Sequence, residues 1–502
     1  MQELLRRSAF ALAAAACCNA QAQSVGPPAF FVVPTLELRQ TFTDNADLDP
    51  NGGSGDSITE INPSILVSGR GARVRGTLFY SLNGVIYADD SDRSTLVNSL
   101  NAFGTAEAIE GTVFVDAFAN LSQQVISPFG QLPPNPSLPS RNSTQVFNYG
   151  ISPYAEGTLG GEVDYLVRLS YAGSKNGDVN AAEYTDLSGL ARLEGGTRWQ
   201  RLRWALTAVG RSDEFVDDRR TVNYGAAASL IYAVTPYFTV RGNAGVEVQD
   251  YATIDKQRSS VYGIGFDWQP TDRTSIAAGV ENRFFGNAYR VQIQHRTPRT
   301  VWTFSDTYGV NEVSGVSTLN LGTNFELFNQ QFASVEPDPI LREQLVLDFL
   351  RANGIPADQQ AVAGFLTTNV QLQRSQDLGL ALVGRRNTLT FVASQSRTSN
   401  LTRYLETGEQ FRNPTYVRQR GGGVNFSHRL TPISSVALAL SQQRSAGAND
   451  VFDNKQTRAE VNWTTALGHR TSLGLSARHV DFDSPTRPYT ENAVFANLSL
   501  RF

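Results

Sequence analysis

His295, His428, His469 and His479 are the only histidines in the chain, and histidine is the side chain best suited to proton transfer or metal binding near neutral pH. Such work needs ligands at short characteristic spacings, or a nucleophile paired with a base. These four fall on separate segments with neither. Asp47, Asp49, Asn51 and Gly52 match the opening of a calcium-binding loop, in which carboxylates wrap a hard cation. The twelfth position, which must supply a bidentate Glu, is Ile58. A polar turn is the better account of that segment. Gly421, Gly422 and Gly423 would let backbone N–H groups approach a phosphate, but glycines within a long strand more often permit a bend. No catalytic residue, metal site or cofactor site is assigned, and the chain reads as a non-enzyme.

The residues that do recur are apolar side chains at every second position. In the last segment, Val494, Ala496, Leu498, Leu500 and Phe502 share one parity, and Asn497, Ser499 and Arg501 the other, with Phe495 as the one exception. Side chains alternate faces along a strand, so this segment has an apolar and a polar face. The alternation recurs along the chain. Val74, Leu78, Tyr80 and Leu82 oppose Arg73, Arg75, Thr77, Ser81 and Asn83. Val113 to Leu121 oppose Asp116 and Asn120; Val163 to Tyr171 oppose Asp164 and Arg168. Val240 to Val248 oppose Arg241 and Glu247, and Ala459, Val461 and Trp463 oppose Arg458 and Glu460. Charges of both signs on the polar faces suit a wet lumen. Arg73, Arg75, Asp116, Asp164, Arg168, Arg241, Glu247, Arg458, Glu460 and Arg501 are therefore expected to face it. On this reading Val246 meets lipid, and a charge swap at a solvated Glu247 is tolerated.

Composition narrows the class. Of 502 residues 41% are hydrophobic, and the mean hydropathy is −0.26. No stretch after the first 22 residues approaches the length of a membrane helix. Forty-three basic and 47 acidic residues nearly balance, so no nucleic-acid partner follows. Residues 1–22 carry Arg6 and Arg7, an apolar run and Ala20-Gln21-Ala22, the layout of a secretory signal peptide cleaved after Ala22. Both cysteines, Cys17 and Cys18, lie within it, so residues 23–502 must be held by backbone pairing and burial alone.

Short turns at Arg70–Arg73, Glu110-Gly111, Gly160-Gly161, Thr235-Pro236, Pro270–Arg273, Gly384–Asn387, Thr431-Pro432 and Leu467–Arg470 alternate with longer polar loops such as Ser91–Leu96, Ser127–Asn142, Ser174–Ala182 and Asp213–Arg219. Barrels of the outer membrane have short periplasmic turns and longer external loops. The expected fold is all-β: a transmembrane antiparallel up-and-down β-barrel of about 22 strands, with 20 to 24 compatible with the pattern, in the outer membrane of a Gram-negative cell. Tyr237, Phe238, Trp268 and Trp199 sit near turns, where an interfacial aromatic girdle belongs. The last segment resembles the final strand of bacterial outer-membrane barrels, which implies that Phe502, Leu500 and Leu498 serve as a terminal signal for the barrel-insertion machinery.

One insert, about 336–366, breaks the alternation. Asp338 and Pro339 open a helix and Gly354 closes it. Leu341, Leu345 and Phe349 form its apolar stripe, and a second short helix is expected over Ala357–Phe365. It lies on the external side, as a cap, a lumenal plug or a plain loop.

Val33–Leu48, Ile61–Gly76, Ser122–Gln131 and Val383–Phe391 together resemble the outer-membrane proteins of PEP-CTERM/exosortase systems, which accompany exopolysaccharide gene clusters. The resemblance runs over nearly the whole chain beyond residue 22. It implies an outer-membrane barrel serving as channel or accessory factor in export of a surface polymer, with export components as partners and no catalytic residues. A generic porin or a structural barrel is the alternative, and an outer-membrane enzyme is less favoured.

Overall fold

Alternating residues commit a segment to a strand with one apolar face, and that face must be buried or set in lipid. In the computed structural model, which describes residues 30–50, 52–135, 140–176, 183–196, 201–215, 220–251, 255–311, 315–317, 325, 328, 329, 332, 342, 345–347, 349, 350, 364–367, 370–401, 416–447 and 453–502, these segments form one closed sheet. Its first twelve strands are β1 (Phe30–Thr43), β2 (Asp56–Arg70), β3 (Val74–Tyr87), β4 (Thr95–Ile109), β5 (Val113–Val125), β6 (Ser143–Leu159), β7 (Val163–Asn176), β8 (Tyr184–Gly195), β9 (Leu202–Phe215), β10 (Arg220–Thr235), β11 (Phe238–Gln249) and β12 (Gln257–Thr271). The others are β13 (Thr274–Arg283), β14 (Gly286–Arg296), β15 (Thr300–Asn311), β16 (Gly315–Ser317), β17 (Phe365–Thr367), β18 (Gln371–Val383), β19 (Asn387–Asn400), β20 (Tyr416–Thr431), β21 (Ser434–Ala446), β22 (Asp453–Ala466), β23 (Thr471–Asp483) and β24 (Tyr489–Arg501).

Each wall strand pairs antiparallel with the next, and β24 closes on β1 from Thr35↔Arg501 to Thr43↔Ala493. Because β15 pairs directly with β18, the short β16–β17 hairpin stands outside the wall, leaving 22 barrel strands. Closure removes the unpaired edge that an open sheet would present to lipid.

The register tells inside from outside. Leu230, Tyr262, Ile264, Val167, Leu169 and Val494 project outward as an exposed apolar band, which only lipid can satisfy in a folded barrel. Tyr237 and Trp268 mark its short-turn rim, where the rings of Phe238 and Phe266 lie 5.8 Å apart. Trp199 lies outside the described residues. The chain is an outer-membrane β-barrel, with both ends of the described chain and the short turns on the periplasmic side.

The eight expected short turns all separate wall strands, and two further connections, between β8 and β9 and between β14 and β15, were not anticipated. Two expected loops shrink. Ser174 lies within β7 and Asp213 within β9, each 1% exposed. Their polarity reflects a buried lumen wall where solvent was expected. The proposed signal peptide lies outside the described residues.

The insert enters the barrel. Helical residues Phe328, Val346 and Leu350 bury against Val301, Ala381 and Val392 on the inner faces of β15, β18 and β19, with Phe325, Phe332 and Phe349 around them. Val301 and Ala381 stand beside the periplasmic turns, so a segment that leaves from the external rim reaches down the lumen as a plug. The expected stripe is rotated: Leu345 is exposed while Val346 and Leu350 are buried. The surrounding aromatic cluster, including Phe328 from a preceding helical stretch, draws in that face. Leu341 and Asp338 lie outside the described residues. The second helix cannot extend to Phe365, which belongs to β17 and bridges Val125 of β5.

Candidate functional site in the lumen

Inward positions on β3 to β6 form two kinds of cross-strand row. Phe79, Asn101, Asn120 and Asn148 stand opposite one another in one row; Thr77, Phe103, Phe118 and Gly150 form the next. Cross-strand neighbours lie about 5 Å apart, so rings and amides make a continuous patch. Phe79 is 39% exposed, Phe103 57% and Phe118 44%. Three apolar rings are thus left open inside a polar lumen. Gly150 gives the Phe118 ring its place, because a Cβ there would overlap it.

Deeper rows anchor this patch. Thr105 donates to Asp116 at 2.9 Å, Arg168 binds the same carboxylate at 2.9 Å, and its guanidinium lies 4.2 Å from the Tyr154 ring centre. Tyr154 stacks on Phe114 at 5.2 Å. Asp116 and Arg168, taken separately from the sequence, are thus brought together across β5 to β7.

The outer mouth holds a cavity of about 590 Å³. Arg478 grips Glu491 through two hydrogen bonds of 3.1 and 2.7 Å, and Thr43 donates to the same carboxylate at 3.0 Å. Glu60 lies 3.9 Å from Arg39 and accepts from Asn83 at 2.9 Å. The Phe495 ring sits between the guanidiniums of Arg39 and Arg478, at 5.4 and 5.7 Å. Phe495, the exception in the terminal alternation, is therefore an inward ring clamped by two cations.

The loop between β5 and β6 covers this mouth. Leu132 packs on Val480, Phe482 and Tyr489. Asn454 and Arg458 donate to its Pro128 and Pro134 carbonyls at 3.0 Å, and Tyr489 to the Leu132 carbonyl at 2.5 Å. With the helical insert below it, the lumen is obstructed at both levels.

The remaining expected lumen residues separate. Arg75, opposite Thr105, and Arg501, opposite Thr35, occupy inward positions. Arg241 pairs with Asp267 at 3.7 Å, Asp164 accepts from Thr158 at 2.7 Å, and Arg458 pairs with Glu460. Arg73 precedes β3 and sits in the periplasmic turn, 3.6 Å from Glu110, with both side chains mostly in solvent. Glu247 is inward but not solvated. It is 5% exposed, takes 3.0 and 2.7 Å hydrogen bonds from Arg283 and a 2.9 Å bond from the Phe284 N–H. The expectation of a tolerant, wet position there is wrong, because Arg283, at the external end of β13, folds over it.

His295, His428 and His479 bond Thr274, Asn387 and Asn492 on separate parts of the wall. Asp47 is engaged by Arg93 at 2.6 Å and Ser54 at 2.9 Å, which ties down a turn. Gly421 to Gly423 sit in unbroken pairing with Gln443, Gln442 and Ser441.

The missed functional residues share one signal. Phe79, Phe103, Phe118 and Phe495 are aromatic residues at polar-parity positions.

No family model and no curated protein matches the sequence. Among solved structures, the barrel is similar to the siderophore receptor PirA from Pseudomonas aeruginosa, with 9% identity, 95% of this chain and 81% of that one covered, and a TM-score of 0.47. It is also similar to the FrpB iron transporter from Neisseria meningitidis, at 9% identity, 94% and 81% coverage and a TM-score of 0.48. The copper transporter OprC gives 10%, 96%, 82% and 0.44. At that distance their cargoes say nothing about this chain's.

Proposed function

We propose that this outer-membrane barrel is a gated passage for a carbohydrate polymer, working as an accessory of exopolysaccharide export of the PEP-CTERM-associated kind. The observation that carries the reading is the open lumenal patch of Phe79, Phe103 and Phe118 beside Asn101, Asn120 and Asn148. Sugar rings present apolar C–H faces and hydroxyl edges. Exposed rings receive the former, and amides exchange hydrogen bonds with the latter. Weak repeated contacts of this sort let a polymer enter and still leave. The resemblance to exopolysaccharide-associated barrels points the same way. The obstructed lumen makes passage conditional on displacement of the insert or the β5–β6 loop.

In planar bilayers the protein should conduct poorly, and the current it does carry should be blocked by neutral oligosaccharides. Phe103→Ser combined with Phe118→Ser should abolish that block without lowering conductance. Block of equal strength in the double variant would overturn the carbohydrate assignment, and a complete lack of conductance under all conditions would favour a structural barrel.

A further inference from the structure

The external half of the outer wall carries a second, unrelated feature. Asp306, Gln376, Gln395, Arg420, Arg444 and Lys455 stand directly opposite one another from β15 across β18 to β22, all facing outward. One outward position further along β18 to β20, Arg374, Arg397 and Arg418 form a parallel row. Six cations thus share five neighbouring strands, and like charges directly opposite in a sheet are destabilising.

Only two are neutralised. Arg374 binds Asp306 at 2.8 Å, and Arg444 pairs with Asp453. Arg420 donates to Gln395 at 2.7 Å, and Arg397 lies over the Tyr416 ring. Among the described residues, Arg397, Arg418 and Arg420 have no carboxylate partner, while Lys455 stands opposite Asp483 of β23. Elsewhere, outward basic residues of the external half, such as Arg220 and Arg258, stand singly on their strands.

The wall beneath narrows in the same sector. Outward apolar positions number three on β18 (Leu378, Leu380, Leu382) and three on β21 (Val436, Leu438, Leu440), against six on β10 from Tyr224 to Val234. At about 3.3 Å per residue, that is roughly 13 Å of strand against roughly 33 Å. The cations therefore border directly on lipid-facing rows, at a level where a bilayer presents headgroups.

We propose that this wall binds a phosphorylated glycolipid of the outer leaflet. Its acyl chains lie on Leu378, Phe391 and Leu440. Its phosphates lie among Arg397, Arg418 and Arg420, where planar guanidiniums suit phosphate oxygens. Gln376, Gln395 and Gln442 meet its sugar hydroxyls. A protein partner fits less well, because the cations continue the lipid-contacting face with no break.

The test uses full-length protein folded into phosphatidylcholine vesicles with or without diphosphoryl lipid A, compared by urea titration. A ligand that binds only the folded state raises the unfolding midpoint. Wild type should be stabilised by lipid A. The Arg397→Gln/Arg418→Gln/Arg420→Gln variant should lose that gain, binding lipid A at least about tenfold more weakly, as expected when a charge-assisted contact is removed. Without lipid A the triple variant should be as stable as wild type or more so, since repulsion is relieved. Arg258→Gln should behave as wild type. If the triple variant does not fold, Arg418→Gln alone is measured, and a partial loss is expected. Equal stabilisation of wild type and variants, equal stabilisation by dephosphorylated lipid A, or reproduction of the effect by inorganic phosphate would each overturn the proposal.

Discussion

Adjacent residues on β11 should respond to charge in an order opposite to that expected of a wet lumen. Val246 is outward and 37% exposed, whereas Glu247 is inward and 5% exposed. Glu247→Lys would remove the two Arg283 hydrogen bonds and the Phe284 N–H bond, and would set an ammonium beside that guanidinium. Breaking a buried pair by removing one partner costs about 3–5 kcal/mol. Glu281, 4.0 Å from Arg283, remains as a distant partner, so the lower end, about 3 kcal/mol, is expected. Val246→Arg sits three residues from the external end of β11. The penalty for a lipid-facing cation falls from about 2–4 kcal/mol at midplane to about 0–1 at the interface, so about 1–2 kcal/mol is expected there. Urea titration in lipid vesicles should rank Glu247→Lys below Val246→Arg. Only the Val246→Arg penalty should shrink in thinner bilayers. A Glu247→Lys variant within about 1 kcal/mol of wild type would refute the buried pair and the packing of Arg283 over it.

The plug makes a separate prediction: Leu350→Asp would bury a carboxylate against Val301 and Ala381, a placement costing several kcal/mol without a partner. The insert should undock, and conductance in planar bilayers should rise while the barrel stays folded on unheated gels. At the C-terminus, the Phe502 side chain is 64% exposed, and its N–H donates to the Pro34 carbonyl at 3.0 Å. With so little of the ring buried, Phe502→Asp should leave the urea midpoint of protein folded in vitro nearly unchanged, and a drop in assembled barrel in cells would be the test of Phe502 as an insertion signal.

The barrel was legible because period-two alternation and turn chemistry act locally and repeat. Val163 to Tyr171 and Phe238 to Val248 declare their faces without reference to any neighbour. What sequence could not declare was who covers the inner face. Asp213 and Ser174 look like loop residues because they are polar, but polarity marks the lumen side of a strand as readily as a turn. Glu247 looks solvated until Arg283, 36 residues away, folds over it. The insert shows the same limit: helical spacing was visible, but its buried face was set by Val301, Ala381 and Val392 on three distant strands.

The most informative residues were those that violated the alternation, and they did so in two opposite senses. Aromatic rings at inward parity, Phe79, Phe103 and Phe118, mark places where the lumen offers a surface that water does not satisfy. Cations at outward parity, Arg397, Arg418 and Arg420, mark where the outer wall meets something other than acyl chains. Each violation costs stability in an empty, isolated barrel, the first through exposed apolar area and the second through like-charge pairing. A cost borne by neighbouring residues on consecutive strands is offset only when a ligand arrives. On that reasoning, inner and outer patches are independent: removing the Phe103 and Phe118 rings should leave lipid A stabilisation intact, and removing the three arginines should leave oligosaccharide block intact. Loss of both properties in either variant would mean that the two faces are coupled through the wall strands, and the separate assignments would fail together.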